Sequence, residues 1–199
     1  MTGWIVLIVV LALVGGVAAW AVGLYNRLVT LQNRYENAYA QIDVQLKRRY
    51  DLIPNLVETA QGYLDHERET LEAVTEARQQ AVQANAEAAR NPGDPAAMQK
   101  LNGAEGALTQ SLGRLLAVRE DYPDLKANEQ MSQLMEELRS TENKVAFARQ
   151  AFNDAATRYN TQRETFPSVA VANSFDFRPA ELFEIRVARE REAPDVSFS

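Results

Sequence analysis

The chain has no cysteine and a single histidine, His66. Without cysteine there is no disulfide, no thiolate metal site and no cysteine nucleophile. One histidine cannot supply the two Glu-x-x-His motifs of a di-iron bundle, and Tyr63 stands three places before His66. A zinc site would need carboxylates gathered from other helices, and no pattern singles them out. A Ser-His-Asp set and a strand followed by a glycine-rich phosphate loop are missing too. No catalytic residue, metal or cofactor is therefore expected, and His66 is expected to face solvent. Glycine and proline are scarce, at 9 and 7 residues, and their clustering leaves long segments free of breakers.

Charge is absent before Arg27, so the net charge of -6 belongs wholly to the remainder, which argues against nucleic-acid binding. The uncharged stretch runs from Trp4 to Leu24, WIVLIVVLALVGGVAAWAVGL. As an α-helix it covers roughly 30 Å, one bilayer core. Trp4 stands at one end, Trp20 and Tyr25 near the other, as interfacial rings do. A cleaved signal peptide would carry a basic residue first and a shorter apolar core, although Ala18 to Ala21 hold a weak cleavage-like pattern that keeps this alternative open. Arg27 and Arg34 follow the stretch and no basic residue precedes it, which predicts the N-terminus outside and the body in the cytoplasm. Residues 1–26 are thus read as a transmembrane anchor and 27–166 as a cytoplasmic helical bundle. Residues 167–199 are read as a C-terminal segment, packed in part and then disordered.

Beyond the anchor, the fold class is all-α, an antiparallel bundle of long helices. Leu24, Leu28, Leu31, Tyr35, Ala38 and Ile42, with Leu46 one step off, make a coiled-coil-like seam that could continue the anchor helix. Pro54 predicts a kink or fresh start near Asp51. A second helix is expected from about 54 to 89, with Asn85 on its seam. A third follows from 95 to about 121, capped by Asp94. Gly103, Gly106 and Gly113 in it are expected to let a neighbour come close. A fourth starts between 123 and 128 and ends near Thr165, stopped by Phe166-Pro167. Phe175, Phe177, Leu182, Phe183 and Ile185 are expected to pack back on the bundle.

Lys47, Arg48 and Arg49 form a basic run with Asp43 and Asp51 nearby. It reads either as partner or anion contacts or as a solvated face of ion pairs. Helical rise places Lys47 about 35 Å past the anchor, too far for lipid headgroups. Asn55, Asn143, Asn153 and Asn160 recur near helix seams and are read as setting register. Gly15, Gly16 and Ala19 in the anchor, with Leu28, Leu31, Tyr35 and Ile42 beyond it, are candidate oligomer contacts, because small residues let helices approach in lipid.

Residues 25–29, Tyr-Asn-Arg-Leu-Val, and 41–57, Gln-Ile-Asp-Val-Gln-Leu-Lys-Arg-Arg-Tyr-Asp-Leu-Ile-Pro-Asn-Leu-Val, closely resemble the LemA family of bacterial membrane proteins. Leu115-Leu116, residues 120–128, Glu142-Asn143, Ala148-Arg149, Tyr159-Asn160 and Phe166-Pro167 continue the likeness, which covers about 4–185. Phe152 departs from it, standing where the family usually has tyrosine, and the tail after Ile185 is not shared. The resemblance implies one N-terminal membrane helix, a cytoplasmic bundle and no enzyme activity to carry over. The expected role is a scaffold at the bacterial inner membrane, self-assembling as a homo-oligomer and recruiting an unidentified protein partner. The alternative is a signalling adaptor that docks a cytoplasmic partner on the bundle.

Overall fold

The computed structural model describes residues 2–64 and 66–184. Six helices follow in order: α1 (Thr2–Gln61), α2 (Arg68–Ala88), α3 (Pro95–Glu120), α4 (Pro123–Ala127), α5 (Glu129–Glu164) and α6 (Ser168–Ser174). No strand occurs among the described residues. The expected packing of Ile185 and the disordered tail fall outside them.

α1 is one helix of 60 residues with Pro54 inside it. The break expected near Asp51 does not occur there; the helix runs on to Gln61 instead. Proline at 54 cannot donate to the carbonyl of Tyr50, one turn back. Arg78 of α2 takes that place, its Nε donating to the Tyr50 oxygen at 2.6 Å. A donor from a neighbouring helix satisfies the freed acceptor, and the helix continues. Its real end lies at Gly62, where Tyr63 and Leu64 amides both reach back to the Ala60 carbonyl.

The other boundaries follow their local chemistry. Asp94 caps α3 by accepting from the Ala97 amide at 2.9 Å, and Asn128 caps α5 by accepting from Met131 at 2.8 Å. Gly93 adopts φ +85°, and a side chain there would meet Ala180 at 3.0 Å, so the α2–α3 turn needs glycine. Gly103, Gly106 and Gly113 have no atom within 4 Å of a built Cβ, so they do not mediate close helix contact.

The part of α1 beyond the apolar stretch pairs with α5, and α2 with α3, while α2 also packs on α1. The pairs are antiparallel: Tyr35 meets Tyr159, Tyr39 meets Phe152, and Arg49 meets Glu142. The core seam of α1 is Leu28, Tyr35, Tyr39, Ile42, Leu46, Arg49, Ile53, Leu56 and Ala60, all buried. From Tyr35 the steps alternate four and three, a heptad that runs through Pro54 without a slip. α6 packs on α1 and α5 at the end of the bundle nearest the apolar stretch.

The C-terminal strap is held by two asparagines of α5. Asn153 accepts from the Phe183 amide and donates to its carbonyl, at 2.9 and 3.1 Å. Asn160 does the same with Ala180, at 2.9 and 2.8 Å. Seven residues of helix rise about 10.5 Å and three extended residues about 10 Å, so the spacings match. Phe183 is fully buried, Phe177 and Leu182 are half-buried, and Phe175 is exposed. Asn55 and Asn143, read with these two as register residues, are exposed.

Candidate functional site

A polar layer crosses the bundle where three helices place a polar residue on or beside an apolar seam. Arg49 from α1 is 2% exposed and Glu105 from α3 is fully buried. The Arg49 guanidinium donates to Glu105 Oε2 at 2.8 Å, to Glu142 Oε1 of α5 at 3.1 Å, and to Thr109 Oγ1 at 3.3 Å. Tyr50 donates its hydroxyl to Glu105 Oε1 at 2.5 Å. Further along α1 toward the apolar stretch, Tyr39 donates to Asn85 Oδ1 at 2.9 Å and Asn85 donates to Asp43 Oδ1 at 2.7 Å.

Burial pushes the Glu105 carboxyl above its ordinary value, and the Arg49 charge pulls against that rise. Burial likewise pushes the Tyr50 and Tyr39 hydroxyls upward, with nearby carboxylates adding to it. Both tyrosines therefore stay protonated donors at neutral pH. Both Glu105 oxygens are occupied by partners of the chain itself. Such a layer fixes which helix meets which, and at what height, because any slip would strand a buried charge.

The basic run thus divides. Lys47 is exposed and pairs with Asp43 at 2.7 Å, and Arg48 is exposed, whereas Arg49 turns inward. The candidate oligomer residues divide as well. Gly15, Gly16 and Ala19 are exposed, but Leu28, Tyr35 and Ile42 are buried in the chain's own core and Leu31 is half-buried. Trp4 is exposed and Leu24 half-buried. His66 is exposed. No group of three metal-binding side chains is gathered among the described residues.

Sequence reasoning gave no role to Glu105, and none to Glu142 beyond its place in the family resemblance. The signal for Glu105 is its place in Met98, Leu101, Glu105, Leu108, Leu112 and Leu115, a seam with one acid in it. Arg49 sits in the same way between Leu46 and Ile53. A lone acid and a lone base on two seams of one bundle are each other's natural partners.

Among the described residues one helix, α1, is long and apolar enough to cross a membrane, and its apolar window is not buried in the fold. Comparison with known proteins places the chain. It is 28% identical over 182 residues to the magnetosome protein MamQ of Magnetospirillum gryphiswaldense, covering 82% of this chain and 66% of that one. A second relative is Protein LemA of Metamycoplasma hominis, 28% identical over 179 residues, with 89% and 75% covered. The chain spans just under two thirds of the length of the MamQ relatives it matches. The LemA family model matches residues 38–198. That match includes the tail after Ile185, which the resemblance had left out, and omits the apolar stretch. With most of its length matched, the chain belongs to the LemA family.

Proposed function

We propose that this chain is a membrane-anchored, non-enzymatic scaffold that self-assembles and recruits protein partners at the cytoplasmic membrane. One observation carries the reading: α1 passes without a break from the exposed apolar stretch into the bundle core. A continuous helix transmits position rigidly, so copies that meet in the lipid hold their bundles in fixed relation. Gly15 and Gly16 have nothing of their own chain within 4 Å of a built Cβ, which leaves that face open to a neighbouring helix. Both Glu105 oxygens and both terminal nitrogens of Arg49 are taken up by partners within the chain, which suits a structural role better than catalysis. Three relatives are named for a structure, the magnetosome, and not for a reaction. Arg27 and Arg34, just past the apolar stretch, support a cytoplasmic body by the positive-inside tendency.

The test is native mass spectrometry of the full chain in lipid nanodiscs at several protein-to-lipid ratios, together with crosslinking in intact cells. We expect multimers that Gly15→Leu with Gly16→Leu reduces, and crosslinks to other proteins. A monomer at every ratio with no crosslinked partner would overturn it.

The adaptor reading is favoured by Phe147 on α5, which is 79% exposed beside Asn143 and Arg149. With Arg49 buried, its charged contacts reduce to Lys47 and Arg48. Phe147→Asp should then remove a crosslinked partner without altering self-association.

A further inference from the structure

We infer that the end of the bundle bearing α6 and Phe175 is a second membrane-contacting element, an aromatic collar that dips into the lipid interface around α1. This rests on the reading of residues 4–24 as a spanning helix. Among residues 3–24, only Ala21 and Leu24 are less than exposed, so the fold already covers the last turn of the apolar stretch. Tyr25 closes that stretch. Its ring meets Phe175 edge-on at 5.0 Å and Phe177 at 5.4 Å. Phe175 therefore stands at the height of the helix exit, and it is 63% exposed. Phe166 is 81% exposed and lies seven residues past Tyr159, whose partner is Tyr35. Antiparallel register brings it level with Leu28, about one turn beyond Tyr25.

The segment between these two phenylalanines is suited to that place. Residues 165–175, Thr-Phe-Pro-Ser-Val-Ala-Val-Ala-Asn-Ser-Phe, hold no charge, the longest such run after the anchor. Aromatic rings favour the headgroup level, where one edge is apolar and the other wet. The patch is continuous with a helix face that requires lipid, which selects lipid over a soluble protein as its occupant. The collar would fix the tilt of the bundle relative to the membrane, which one unsupported helix cannot do.

The cysteine-free chain allows single labels. Phe166→Cys, Phe175→Cys and the nearly isosteric Ser174→Cys would each carry an environment-sensitive fluorophore. The full chain is reconstituted in phosphatidylcholine–phosphatidylglycerol vesicles with and without nitroxide lipids, and iodide serves as the aqueous quencher. Phe147→Cys is the control, since Phe147 lies between Glu142 and Phe152, level with Val44 and roughly 30 Å beyond Tyr25. Unchanged circular dichroism establishes that each variant is folded. We expect the three collar labels to be quenched by nitroxide lipid and shielded from iodide, with the control behaving oppositely. Collar labels that respond like the control overturn the proposal. Labels shielded from iodide but blind to nitroxide lipid also overturn it, and point to a second copy as the cover. Quenching of the native Trp4 and Trp20 reports the anchor separately. If it is absent, the spanning reading fails and the collar with it; if present while the collar labels stay dark to lipid, only the collar fails.

Discussion

Residues 3–20 and residues 28–60 belong to the same helix, yet the first group is exposed throughout and the second buries a residue at nearly every seam step. The first stretch is apolar on all sides; the second is apolar on one stripe. Helical hydrogen bonding is satisfied locally in both, so secondary structure does not separate them. What separates them is the surroundings each pattern suits: an apolar medium around the whole circumference, or neighbouring helices along a line. The sharpest way to break this comparison is to remove an apolar side chain from each environment. Phe152 of α5 is fully buried against Tyr35 and Tyr39 of the inner half. Phe152→Ala should cost about 3–5 kcal/mol in urea unfolding of the body. Val10→Ala, in the outer half, should leave that midpoint within about 0.5 kcal/mol. Equal losses would mean the two halves fold as one unit.

The inner half is not uniformly apolar, and its polar layer gives the next test. Glu105→Leu removes the carboxylate that faces the buried Arg49 guanidinium and leaves Glu142, which is half in solvent, as the remaining acidic partner. Breaking a buried pair from one side should cost about 3–5 kcal/mol. Arg49→Met added to Glu105→Leu should return most of that loss, because an apolar pair of similar size fills the seam. If the double variant is no better than Glu105→Leu, the layer contributes packing and not charge pairing.

The layer also measures how much of the fold was readable beforehand. The helical form of the apolar stretch, the cap at Asp94 and the stop at Phe166-Pro167 follow from local chemistry, and the structure keeps them. Arg49 did not follow, because three adjacent basic residues read as one exposed face. Only the heptad position between Leu46 and Ile53 separates it from Lys47 and Arg48. Leu28, Tyr35 and Ile42 were assigned to contacts between copies for a related reason. A seam states that something covers it, but not whether the cover is α5 or another chain. The asparagine pair was legible in kind, as residues setting register. Its partner was not, since the extended strap has no periodicity of its own. That strap yields the third test. Asn160→Ala deletes both bonds to Ala180 and should cost about 1–3 kcal/mol. Faster amide exchange at residues 180–183, with the α2 and α3 amides unchanged, would localise the loss.

Pro54 offers the finest division between the halves. A helix in lipid has no donor to lend a bare carbonyl, and the outer half carries no proline. The inner half tolerates one because Arg78 of α2 reaches the Tyr50 carbonyl. Arg78→Ala should therefore cost about 1–2 kcal/mol when Pro54 is present, the penalty for an acceptor left without a partner. Pro54→Ala restores the amide that Tyr50 would otherwise receive. In that background Arg78→Ala should cost only a few tenths of a kcal/mol, so the two substitutions should couple by roughly 1 kcal/mol in a double-mutant cycle. Additivity would mean that water satisfies the Tyr50 oxygen and that Arg78 is a surface residue with a convenient neighbour. Coupling would establish that the helix passes its proline because the bundle supplies the missing bond.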